Sequence, residues 1–92
     1  CLGVISATAC GSEAQSIREE VLQRGRLVQQ TLIARLERAI EEGDFHGPAD
    51  AEAIARYLSA VLQGLAVQAG AGATRQELER VVETTLAMWP SR

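Results

Sequence analysis

The sequence predicts an all-α protein: a helical bundle of four segments at about 1–9, 13–42, 50–69 and 75–89. Three observations point there. Apolar residues recur at three-, four- and seven-residue steps instead of alternating. Capping signals stand just ahead of the periodic stretches. Only two prolines occur, and no run has the alternation of a half-buried strand. Ninety-two residues make a single domain at the small end of the usual range.

The opening residues, Cys1 to Ala9, are apolar and end at Cys10-Gly11-Ser12, which reads as the C-terminal part of a helix with Gly11 near its C′ position. Val4, Ile5 and Thr8 would also suit a short strand. Ser12 or Ser16 can cap the next helix, because Ser12 to Gln15 and Ser16 to Glu19 both have capping-box spacing. In that long helix Ile17, Val21, Val28, Leu32, Leu36 and Ile40 form one stripe, widened by Leu22 and Ile33. Glu20 with Arg24 and Arg38 with Glu42 are i,i+4 pairs on its outer face. Gly25 either marks a close crossing or bend, or is simply tolerated at about 1 kcal/mol relative to alanine. Such a rod, on the order of 40 Å long, outruns a compact domain of this size, whose radius of gyration is roughly 12 Å. Something else must cover it.

Gly43 stops the rod, and Asp44-Phe45-His46-Gly47-Pro48 reads as a turn. Asp50 caps the helix around which the chain is organised. The stretch from Tyr57 to Thr74 holds no charged residue. On a helical wheel, Ile54, Leu58, Val61 and Leu65 make a bulky stripe with Leu62 on its shoulder. A second, smaller-residue stripe carries Tyr57, Ala60, Gly64, Val67 and Ala71. Only Glu52, Arg56, Ser59 and Gln63 look fit for water. Two apolar stripes need two partners, and a chain this short supplies one. Gln68 falls between the stripes, where a buried amide needs hydrogen-bond partners: across a two-fold interface, in a ligand cavity, or on nearby backbone. Gly70-Ala71-Gly72 suits a left-handed stop, and Thr74 to Glu77 is a third capping box. Leu78, Val81, Val82, Thr85, Leu86 and Trp89 then form the last stripe, with Glu79, Arg80 and Glu83 pointing away. The two final helices make an antiparallel hairpin, a ready half of a four-helix bundle formed by two copies. The candidate interface is Tyr57, Ala60, Val61, Gly64, Val67, Gln68, Ala71, Leu78, Val81, Val82, Thr85, Leu86 and Trp89.

Composition narrows the functional classes. Twelve acids against nine bases, all nine of them arginine, leave a net charge of −3 and no basic patch for direct nucleic-acid binding. The arginine-only, alanine-rich usage fits a GC-rich bacterial genome. The uncharged stretch, with Gln63, Gln68 and several glycines, is too polar and slightly too short for a membrane span. No signal peptide or targeting motif is visible, and the start at Cys1 implies a piece of something longer. In a helix, Cys1 and Cys10 would lie about 13 Å apart, beyond the roughly 7 Å of a disulfide, which fits thiols in a reducing cytoplasm. His46, beside Asp44 and Asp50, lacks the second histidine or cysteine pair of a metal site. No nucleophile–base pair or phosphate-binding glycine loop is present, so neither enzyme chemistry nor a cofactor is expected.

Several stretches carry a resemblance. Ile54-Ala55-Arg56-Tyr57, Val61 through Ala69, Gly72 through Leu78 and the closing Trp89-Pro90 resemble the C-terminal regulatory domain of TetR/AcrR-family transcriptional repressors. Cys1-Leu2-Gly3-Val4 and the exit from Leu36-Glu37-Arg38-Ala39 to Glu42-Gly43-Asp44 match more loosely. Phe45-His46-Gly47 departs from that family's shorter exit at this point. The resemblance implies an all-α fold and a homodimer built through the last two helices. It also implies a small, mostly apolar effector, with operator DNA bound only through an N-terminal helix-turn-helix domain absent from this chain. By geometry, effector-pocket candidates are Val4, Ile5, Thr8, Val28, Leu32, Leu58 and Leu62. The implied mechanism is a population shift: effector binding respaces the two DNA-binding domains and releases the operator. The alternative is a stand-alone helical homodimerisation module without sensing.

Overall fold

The computed structural model describes residues 14–90. Within them the chain forms three helices: α1 (Gln15–Glu41), α2 (Ala51–Gly70) and α3 (Arg75–Ala87). The expected opening helix, with Cys1, Cys10, Val4, Ile5 and Thr8, lies outside the described residues. The helix ends follow local chemistry. Asp50 caps α2 by accepting the Ala53 N–H at 3.2 Å. Thr74 and Glu77 form a complete capping box at the start of α3. Both interior turns begin with a Schellman closure. After α1, Asp44 N–H reaches Ala39 O and Gly43 N–H reaches Ile40 O; after α2, Ala73 N–H reaches Gln68 O and Gly72 N–H reaches Ala69 O. Gly43 (φ 83°) and Gly72 (φ 100°) take the left-handed conformation that these closures need.

The start of α1 differs from expectation. Its N-cap is Ala14, with no side-chain cap bond, and Ser16 lies inside the helix. Gly25 faces open space: a Cβ placed there meets nothing within 4 Å, so it marks no crossing among the described residues. The two expected ion pairs do form, Glu20–Arg24 and Arg38–Glu42, each at 2.8 Å, and Arg75–Glu79 adds a third. All three are exposed i,i+4 pairs, which contribute a few tenths of a kcal/mol each.

Packing is concentrated at one end. Leu36, Ala39, Phe45, Ala51 and Ala55 form the buried core, with Leu32, Ile33, Ile40, Ala49, Ile54 and Trp89 packed round it. Ala55 is fully buried at 0% exposure, although the wheel assigned it to neither stripe. Its methyl group lets α1 and α2 approach closely where they run antiparallel. Further along the same seam, half-buried Ser59 donates its hydroxyl hydrogen bond to Gln29 Oε1 at 2.8 Å. Ser59 therefore faces α1 instead of water, correcting the expected solvent edge. The free half of α1 overhangs this core, leaving Ile17, Leu22 and Val28 exposed.

Phe45 is the second departure. A turn phenylalanine expected at the surface is 7% exposed and meets Trp89 with ring centroids 5.8 Å apart, planes tilted by 55°. Helix α3 stops at Ala87, not at Trp89, and Met88 takes the C-cap position. Trp89 thus leaves the helical stripe and folds back on the α1–α2 turn. The His46 N–H donates to Pro90 O at 3.0 Å beside it. The result is extended and thin: 47 × 31 × 13 Å, with a radius of gyration of 15.7 Å. The thin dimension is close to one helix diameter, roughly 10–12 Å.

Phe45→Ala is expected to lower unfolding free energy by about 3 kcal/mol, read by urea denaturation. Trp89, the sole tryptophan, should show a red-shifted native emission in that variant.

Candidate functional site

Two surfaces gather the residues singled out in the sequence. The first is a groove of about 590 Å³ along the α2–α3 hairpin, lined by Tyr57, Val61 and Gln68 from α2 and by Glu77, Arg80, Val81, Thr84 and Thr85 from α3. Both helices of the hairpin supply its lining, and the short turn at 71–74 returns α3 against α2. Five interface candidates therefore share one concave surface: Tyr57, Val61, Gln68, Val81 and Thr85. Gly64 continues the same α2 face, while Ala60, Val67 and Ala71 lie exposed beyond it. Leu78 is half-buried. Val82 and Leu86 are exposed and do not line the groove. Trp89 belongs to the clasp on Phe45.

Gln68 lies on the groove wall, exposed in the single chain. Arg80 is exposed, as expected, and borders the same groove. The signal for this wall was the spacing of Glu77, Arg80 and Thr84, three and four residues apart on one face. Thr84 and Thr85 donate their hydroxyls to the carbonyls of Arg80 and Val81, each at 2.8 Å. Those donors are spent inside the helix, which leaves the wall less polar than its residue names imply.

The second surface lies along the α1–α2 seam. Leu32 and Leu58 are half-buried there, whereas Val28 and Leu62 stand 67% and 65% exposed. Beside them, the Nε2 of Gln29 is buried with no hydrogen-bond partner among the described residues, as is the Nε of Arg18. An orphaned buried donor costs about 1–3 kcal/mol. Among the described residues, none of the four borders the hollows along α2–α3 or around Trp89.

Elsewhere, Glu37, Glu41, Asp50 and Glu52 border an open hollow of about 560 Å³ floored by Ile33, Ile40, Ala49 and Ala51. Hollows of about 310 and 350 Å³ flank Trp89 on either side. Among the described residues no group of three His, Cys, Asp or Glu side chains is placed to hold a metal ion. No described helix is long and apolar enough to cross a membrane.

This helical hairpin with an outward groove belongs to a known class of regulator. The chain is a member of the family described as BetI-type transcriptional repressor, C-terminal, which matches residues 6–89. It is also similar to the HTH-type transcriptional repressor ComR of Escherichia coli (strain K12), at 24% identity over 90 residues. That similarity covers 98% of this chain but 43% of ComR, so the chain spans less than half of its relative's length. No solved structure matches the chain.

The groove's α3 wall begins at a titratable cap. Glu77 Oε1 accepts the Thr74 N–H at 2.9 Å, and the Glu77 N–H donates to Thr74 Oγ1 at 3.1 Å. The bond from the Thr74 backbone, then that with its side chain, holds the Glu77 carboxyl below the usual glutamate range. A depressed folded-state pKa gives stability that is present above the unfolded value and lost as pH falls through the folded one. Circular dichroism should therefore show α3 loosening on acidification below the usual glutamate range. Glu77→Gln should flatten that part of the profile.

Proposed function

We propose that this chain is the dimerisation and effector-sensing part of a TetR-type transcriptional repressor. The observation that carries the reading is the open Tyr57–Gly64–Gln68 face of α2 in a family member whose core seals only the opposite side of that helix. Two copies joined through α2 and α3 would close a four-helix bundle and give each hairpin its missing second layer. The DNA-binding half would lie in the remainder of the protein, since the relative named as a repressor is more than twice as long.

The α1–α2 seam supports the sensing role. Val28 and Leu62 offer uncovered apolar surface there, and the Gln29 amide nearby has a donor without a partner among the described residues. A small, mostly apolar molecule with one acceptor would satisfy both. By binding one spacing of α1 and α2 better than another, it would shift the dimer between two arrangements. Half-site separation on DNA is set by geometry, so a modest helix shift is enough to release an operator. Such a protein works in the cytoplasm and uses no cofactor.

Sedimentation equilibrium of the chain is expected to give a dimer, weakened by Gly64→Asp. A folded monomer at high concentration would remove the dimer reading. The coding sequence upstream of Cys1 should specify a basic helix-turn-helix; without one, a stand-alone dimerisation module is the better description.

A further inference from the structure

Resting on the dimer reading, we propose that α2 meets a second copy of itself through four residues, Tyr57, Val61, Gly64 and Gln68, whose order makes the stripe its own complement. Steps of four, three and four residues put them on one helix face. Tyr57, Val61 and Gln68 line the same groove. Between them Gly64 is a notch: a Cβ built on it meets nothing within 4 Å in its own chain. A mid-helix glycine weakens a helix, and nothing among the described residues uses the space it leaves.

A two-fold contact requires that if residue i meets residue j, then j meets i. The stripe satisfies this for antiparallel helices when the axis passes between Leu62 and Gln63. Val61 then fills the notch at Gly64 of the partner subunit, and Tyr57 reaches Gln68 of the partner subunit, about 8 Å from the axis on each side. A phenol hydroxyl and a primary amide are complementary donors and acceptors. An axis centred on Gly64 instead would set glycine against glycine and leave a void at the crossing, which packing disfavours. The arrangement also gives Gln68, exposed in the single chain, a reason to stand on an otherwise apolar helix.

Size exchange tests the ladder. Gly64→Val should raise the dimer dissociation constant by about a hundredfold or more by overpacking the crossing. Its helical circular dichroism should be unchanged, since the monomer has room for the side chain. Val61→Ala combined with Gly64→Val moves the knob and the notch to each other's places, and should return the dissociation constant to within about tenfold of the parent. Tyr57→Phe should weaken association and leave the monomer's melting unchanged. If Gly64→Val dimerises like the parent, or the double variant associates no better than the single one, the ladder is wrong while the dimer stands. If the parent chain is itself monomeric, both fall together.

Discussion

A helix can hide only the arc that a neighbour covers, and among the described residues the apolar arcs outnumber the neighbours. Everything else follows from where the few contacts were placed. The core is built at one point, where fully buried Ala55 admits Leu36 and Ala39 from α1 and Phe45 from the turn. Alanine rather than leucine at the centre brings the helices close, and closeness limits how far either can be covered. Beyond that point α1 runs on with Ile17, Leu22 and Val28 exposed, and α2 turns a second face outward. The thin, extended shape is the geometric result: 27 and 20 residues of helix lie side by side, with a shorter third element beside them.

The clasp at the chain's end ties the three helices into one body. Trp89 has left the helical path of α3 and packs against Phe45 with its ring tilted, while the His46 N–H holds the Pro90 carbonyl. Phe45 is also part of the α1–α2 core, so the same ring anchors both contacts. The end of α3 is thus joined to the α1–α2 turn by packed side chains and one backbone hydrogen bond. Short loops with Schellman closures at Gly43 and Gly72 join the helices along the chain.

Local chemistry was the most legible part of the sequence. The Asp50 cap, the Thr74–Glu77 box, the two glycine stops and the exposed ion pairs all stand where residue type and spacing put them, because each depends on neighbours within four residues. What escaped depends on distant residues. Ala55 is too small to register in a hydrophobic stripe, yet smallness is what the closest approach requires. Phe45 lies in a stretch of turn residues, and no local pattern announces that Trp89, 44 positions later, will cover it. Ser59 was given to water on polarity alone, although a serine can turn its hydroxyl inward when a partner such as Gln29 faces it. The groove candidates came together in part for the same reason: the helix-face periodicity of α2 was readable, whereas the tilt of α3 against it was not.

Electrostatics contributes little to how the helices sit against one another. All three ion pairs lie within single helices on exposed faces, and none joins two elements among the described residues. Among the described residues the spacing of α1 and α2 is thus set by apolar packing around Ala55 and by a single side-chain link, Ser59 to Gln29. That link is half satisfied among the described residues: the amide oxygen is used and the amide nitrogen is not. A seam locked by a full hydrogen-bond network would resist adjustment, because each bond lost would leave a buried group unpaired. Here one donor has no partner among the described residues, so an arrangement that supplied its acceptor would gain free energy instead of losing it. For a domain proposed to respond to a small molecule, this imbalance lies on the seam whose spacing the molecule would have to change, and a modest differential affinity is then enough to bias it.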